Sequence, residues 1–167
     1  LAVGSTLVGA GTLLMMCIDT GAGGWLASLG ITGVPAYLLG VFVTLLAGLS
    51  LGSLIGVAVT KGRVPPFIVT LGAMNIIRSV TQHFMQAYTP RVPLAFTKLA
   101  NQVILGQRFL PIVYWFVLAL VLAVVARHTA FGRHVYAVGS NEKTTRLSGI
   151  NVDWVKFKVY ALMGFIV

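Results

Sequence analysis

Little in this chain suits covalent or acid–base chemistry: three carboxylates, three histidines and one cysteine among 167 residues. His83, His128 and His134 show neither His-x-x-x-His nor Glu-paired spacing, so no two of them reach one metal ion from adjacent helical turns. No Ser/His/Asp set stands out for nucleophilic catalysis. Cys17 is alone, which excludes an intrachain disulfide, and within its apolar run it reads as a small packed residue. No Gly-x-x-x-x-Gly-Lys-Ser/Thr loop is present to hold the phosphates of a nucleotide. The expectation is a chain with no reaction, cofactor or metal of its own.

Hydrogen-bonding groups on a helix offer a different chemistry. From Val64 to about Gln86 the sequence reads as a helix, opened by Pro65 and Pro66. Asn75, Arg78, Ser79, Gln82, His83 and Gln86 share one face of it, while Ile76, Ile77, Val80 and Phe84 lie away from that face. A polar stripe inside a membrane must face the bundle interior, a water-filled cavity or the interface. Asn75, Arg78, Gln82 and His83 are therefore candidates to line the path of a small polar solute. Arg78 has a second reading, as a partner for headgroups or for a helix C-terminus. Asp19, between two apolar pieces, reads either as a cap at a Gly-rich bend or as the one intramembrane carboxylate available for ion coupling.

Charge is concentrated elsewhere. Of the twelve Lys/Arg and three Asp/Glu residues, eight lie between Arg127 and Lys158. Within that stretch Ser140 or Asn141 suits an N-cap, Glu142 suits the positive end of a helix dipole, and Gly149 suits the position just past a helix C-terminus. These signals predict a helix of about eight residues, ~12 Å long, too short to cross a bilayer. Leu147 and Ile150 are its apolar anchors, and Lys143 and Arg146 its polar side. Such a helix either rests on lipid headgroups or docks onto a cytoplasmic partner, and the residues alone do not choose.

The elements that carry these residues are apolar helices. The chain is 57% hydrophobic and 9% charged with mean hydropathy +0.94, where soluble domains carry roughly 25% charged residues. So few charges imply an integral membrane protein, an all-α polytopic transmembrane bundle with broken or short helices. Val34–Thr60 and Phe109–Ala126 are uncharged runs near or beyond the ~20 residues a span needs. Gly40, Gly48, Gly52 and Gly56 fall on one face of the first, a spacing for close helix packing. Leu1–Ile18 and the piece from Thr20 to about Gly33 read as two short helices about a bend at Gly21–Gly24.

The net charge of +9 does not point to nucleic acid, because the basic residues sit at the ends of apolar runs, as the positive-inside rule places them. Lys61 and Arg63 mark one cytoplasmic loop and Arg127 to Lys158 another. The loop from Ala87 to Arg108, with Arg91 and Lys98, is then external. Leu1 follows no basic leader, and the chain ends inside an apolar run. Residues 1–167 thus read as one membrane domain cut from a longer chain at both ends.

Three blocks resemble a known family. Phe131-Gly-Arg-His-Val-Tyr-Ala-Val-Gly-Ser-Asn-Glu142, with Arg146-Leu-Ser-Gly-Ile-Asn-Val152, is similar to the cytoplasmic signature of the ribose-type (simple-sugar) ABC transporter permeases. Val64-Pro-Pro-Phe-Ile-Val-Thr-Leu-Gly-Ala-Met-Asn-Ile-Ile-Arg78 matches a second block, and Ala2-Val-Gly-Ser-Thr-Leu-Val8 with Ile18-Asp19 and Gly23 a third. The order agrees across nearly the whole chain, which would be the middle of a full-length permease. The bend departs from the family pattern: Cys17-Ile-Asp-Thr-Gly-Ala-Gly23 replaces Gly-Ile-Asp-Leu-Ser-Val-Gly, and the segment after it is shorter. Thr144 and Thr145 stand where alanines are usual.

The resemblance implies a non-catalytic permease subunit of an ATP-driven importer of a monosaccharide or similar small polar solute, in the bacterial inner membrane. Residues 141–150 would be the coupling helix, with Asn141, Glu142, Lys143, Arg146, Leu147 and Gly149 engaging a separate ABC ATPase that supplies the force. A second permease subunit, as homo- or heterodimer, an extracytoplasmic sugar-binding protein and membrane lipid would be its other partners; no nucleic acid is expected. The competing expectation is an ion-coupled secondary transporter that uses Asp19.

Overall fold

A computed structural model of the chain describes residues 3–19, 26, 30, 34–62, 64–87 and 110–167. The architecture is all-α: among the described residues there are seven helices and no strand. In chain order they are α1 (Val3–Ile18), α2 (Val34–Thr60), α3 (Pro66–Ala87), α4 (Leu110–His128), α5 (Ala130–Ser140), α6 (Glu142–Leu147) and α7 (Val152–Ile166). The expected bend at 21–24, most of the short piece after it, Arg63, and the loop carrying Arg91, Lys98 and Arg108 lie outside the described residues. The chain divides into two compact units, residues 1–93 with 157–167 and residues 94–156, and the boundary falls inside α7.

In the first unit α2 is the central helix. Its 27 residues span roughly 40 Å, more than the ~30 Å hydrocarbon core. Its glycine face does what the spacing predicts. A side chain at Gly40 would meet Ile18 and Cys17 of α1. One at Gly48 would overlap the Gly164 carbonyl of α7, and one at Gly52 would lie 2.5 Å from the Tyr160 carbonyl oxygen. Only residues without a Cβ let the two backbones approach so closely, which is how apolar helices gain contact when lipid offers no hydrophobic driving force.

The helix directions follow from these contacts. Ile18 lies against Gly40, while Val3 and Thr6 share a small pocket with Gly52 and Ile55, so α1 and α2 are antiparallel. Thr70 joins that same pocket, and Ile77 and Thr81 pack on Gly9 farther along, so α3 runs parallel to α1. Phe157 packs at Gly56 and Gly164 at Gly48, so α7 is antiparallel to α2. Lys61 and Lys158 consequently lie at one end of this unit, as a common cytoplasmic face requires.

The buried core is small: Cys17, Leu26 and Ala36 form its apolar cluster, and Ile18, Val59 and Ile77 are buried beside the helix contacts. Large side chains point outward instead, Leu38, Phe42 and Leu54 among them, the arrangement suited to lipid. Hydroxyls within these helices return their protons to their own backbone: Thr12 donates to the Val8 carbonyl at 2.9 Å and Thr81 to that of Ile77 at 2.8 Å. No polar group is thereby stranded in the apolar layer at those positions.

In the second unit α4 is apolar all round, and none of the residues in its apolar window is buried. It and α2 are the described helices long and apolar enough to cross a membrane. Arg127 and His128 close α4, where positive charge complements the helix dipole. Thr129 then makes a corner: its hydroxyl donates to the Val125 carbonyl at 2.6 Å and accepts from the Gly132 amide at 3.2 Å as the N-cap of α5.

Helix α5 corrects the sequence reading, which treats Phe131 to Ser140 as loop. Gly132 and Gly139 weaken the helical signal, yet Phe131, Val135 and Val138 recur at helical spacing and form a half-buried face.

Candidate functional site

The charged stretch folds into a compact corner of three helices. Asn141 ends α5 and caps α6, and its side-chain oxygen accepts from the amides of Lys143 at 3.0 Å and Thr144 at 3.2 Å. Two of the four amides that open the helix are thus satisfied. At the other end the Ile150 amide donates to the Thr145 carbonyl and the Gly149 amide to that of Arg146, the paired bonds of a Schellman stop. Gly149 carries φ +80°, a value that glycine reaches without a Cβ clash. This stop shortens the helix to six residues, Glu142–Leu147, against the roughly eight that spacing suggests, or ~9 Å of axis.

Thr145 is buried at 5% exposure. Its hydroxyl lies 2.8 Å from both the Ala137 and the Asn141 carbonyl oxygens. The first of these is a carbonyl in the last turn of α5, so Thr145 fastens α6 to α5.

Charges fasten α6 to α7. Lys156 Nζ lies 2.8 Å from Glu142 Oε2, Arg146 Nη2 lies 3.2 Å from Asp153 Oδ1, and Arg146 also reaches Glu142 Oε1 at 3.6 Å. The sequence singles out Glu142 and Arg146 but not these partners. No local spacing signals them, because they lie beyond the turn at Gly149. Lys143 and Thr144 are exposed, and Leu147 is 89% exposed. A leucine so exposed on a capped helix is a feature that a partner or a membrane would cover.

The polar face of α3 divides. Arg78 and Gln82 line a cleft of about 460 Å³ with Met74 and Thr81 of their own helix and Gly4, Ser5 and Val8 of α1. Asn75 and His83 are exposed and do not line it; His83 stands edge-on to Phe84 with ring centres 6.1 Å apart. The contact face of α3, marked by Met74, Ile77 and Thr81, lies to one side of the polar stripe, so the cleft takes the near edge of the stripe only. Ser5 and Thr81 are additions from the structure. Their polarity was visible in the sequence, but the pairing of α1 with α3 was not. Asp19 is buried at 2% exposure just past the end of α1. The side chain of Gln86 lies outside the described residues.

Comparison with known proteins agrees with this architecture. The family model described as branched-chain amino acid transport system / permease component matches residues 1–166. The ribose import permease protein of Haemophilus influenzae is 35% identical over 185 residues, which cover 99% of this chain and 53% of the relative. That of Escherichia coli K12 is 37% identical over 180 residues, covering 99% of this chain and 54% of the relative. The autoinducer 2 import system permease protein of Salmonella paratyphi B is 30% identical over 179 residues, covering 98% of this chain and 48% of the relative. The chain spans about half the length of these curated relatives. No solved structure matches it.

Proposed function

The chain belongs to the family of ABC transporter permeases that contains the ribose import permeases, and from that premise we propose that it is the central part of the membrane-spanning subunit of an ATP-driven importer. The importer works in the bacterial inner membrane and carries a monosaccharide or another small polar solute of similar size. It receives that solute from an extracytoplasmic binding protein, pairs with a second permease subunit and takes its energy from a separate ABC ATPase.

The observation that best supports this reading is the 141–149 segment. Helix α6 is capped at both ends, tied to helices on either side and bears an almost fully exposed leucine. A helix that only rested on headgroups would not need such fastening, whereas one that receives force from a partner does. Asn141, Glu142, Lys143, Arg146, Leu147 and Gly149 then form the coupling segment. Arg78 and Gln82, which line the cleft, serve the solute path with hydrogen bonds rather than catalysis, while Asn75 and His83 stand outside it.

The test uses the full-length permease with its ATPase and binding protein in sealed vesicles. Uptake should require internal ATP and ignore imposed proton or sodium gradients. Leu147→Asp should strip the ATPase from the purified complex while membrane insertion stays normal. Uptake that follows an ion gradient without ATP, and falls on Asp19→Asn, would replace this reading with ion-coupled transport.

A further inference from the structure

The chain contains only three acidic residues. One, Asp19, is buried next to α1. The other two, Glu142 and Asp153, both belong to the linked run of four charges that joins α6 to the start of α7. In a chain with twelve Lys/Arg, every carboxylate outside the apolar layer is thus committed to one corner. Arg146 sits between both carboxylates, and Glu142 sits between both cations, so the four side chains form a linear run of contacts in the order Lys156, Glu142, Arg146, Asp153, with both of its ends on α7.

Helical geometry separates these charges from the surface that remains. At 100° per residue, Glu142 and Arg146 share one side of α6 toward α7, and Thr145 is next to them, facing α5. Lys143, Thr144 and Leu147 fall on the opposite side and are exposed. One side of the helix is therefore occupied by attachments and the other presents a surface.

We propose that Glu142 and Arg146 are positioning residues, which clasp α6 to the start of α7 through Asp153 and Lys156, and that Lys143, Thr144 and Leu147 alone form the face offered to the ATPase. The inference rests on the reading of this segment as the coupling helix and assigns its residues to separate tasks. Individually, such half-exposed ion pairs contribute little to stability. A linked run of them fixes direction, because Arg146 Nη2 lies between the carboxylates of Glu142 and Asp153 while Glu142 also holds Lys156, so α6 meets α7 at two points. Through the clasp a displacement of α6 passes to the start of α7 rather than being absorbed by the turn at Gly149.

Charge reversal tests this. In the full-length permease without its ATPase, Glu142→Lys should speed amide exchange in α6 by about five- to tenfold, and Glu142→Lys with Lys156→Glu should restore most of the protection. ATP-driven uptake by the complete transporter should fall and recover in parallel. Unchanged exchange in Glu142→Lys would overturn the clasp. Protection restored without uptake would overturn the division of tasks, because Glu142 itself would then touch the ATPase. Failure of the underlying reading shows separately: Leu147→Asp would leave the ATPase bound, whatever α6 exchange reports.

Discussion

Asn75 and Arg78 lie one turn apart on α3, and the fold places them differently. Arg78 opens onto the cleft shared with Ser5 and Gln82, whereas Asn75 is exposed outside it. If that cleft lies on the solute path, the two positions should respond unequally. Arg78→Ala and Gln82→Ala should each lower uptake by about tenfold, the scale of one lost hydrogen bond to a polar or charged group. Asn75→Ala and His83→Ala should stay within about twofold of the parent in the same assay. All four variants should insert normally, since none of these side chains is buried. Equal losses at all four would place the path along the whole stripe instead. The stripe was legible in the sequence because helical spacing fixes which residues share a face. The division was not, because it depends on where α1 lies, and nothing in α3 encodes that.

Among the elements, the spans and the caps were the most legible. Val34–Thr60 coincides with the limits of α2, and Asn141 and Gly149 sit at the cap and stop that their types suggest. These are local signals, carried by one or two residues. Helix α5 is not legible because its glycines hide an amphipathic face, and α7 reads only as a terminal apolar run because its first turn is charged. The glycine face of α2 was read as packing, and the structure supplies its partner, Gly164 of α7. A side chain there has no space, so Gly52→Leu or Gly164→Leu should destabilise the full-length protein in detergent by about 1–3 kcal/mol or more, as overpacking does. Gly72→Leu is the control. Nothing lies within 4 Å of a Cβ at that position, and replacing glycine should if anything favour the helix. Equal thermal midpoints for the Gly52 and Gly72 variants would mean that α2 and α7 do not meet at this seam.

At the scale of the molecule, the placement of cations sets which side faces the cytoplasm. Lys61 closes α2, and Lys158 lies near the start of α7, which packs antiparallel on α2. The two cations thus mark one end of the first unit, and the positive-inside rule assigns that end to the cytoplasm. The coupling reading needs the same assignment, because an ATPase acts from the cytoplasmic side and α6 precedes α7 by only four residues of chain. Cys17 is the single cysteine of residues 1–167, so Cys17→Ser, with any cysteine in the rest of the full-length permease replaced as well, provides a background without a native thiol. On that background, Lys61→Cys and Ser148→Cys in the full-length permease should react with an impermeant maleimide only in inverted vesicles. Lys98→Cys, in the stretch expected outside, should react only in right-side-out ones. Labelling of Lys61→Cys and Ser148→Cys from opposite faces would break the parity on which the orientation rests. Labelling of both from outside would keep the parity but invert the protein, and α6 would then be out of reach of any ATPase. The positive-inside rule counts cations in short loops and takes no account of carboxylates. The orientation therefore does not depend on the clasp, and Glu142→Lys should leave the labelling pattern unchanged while it disturbs α6.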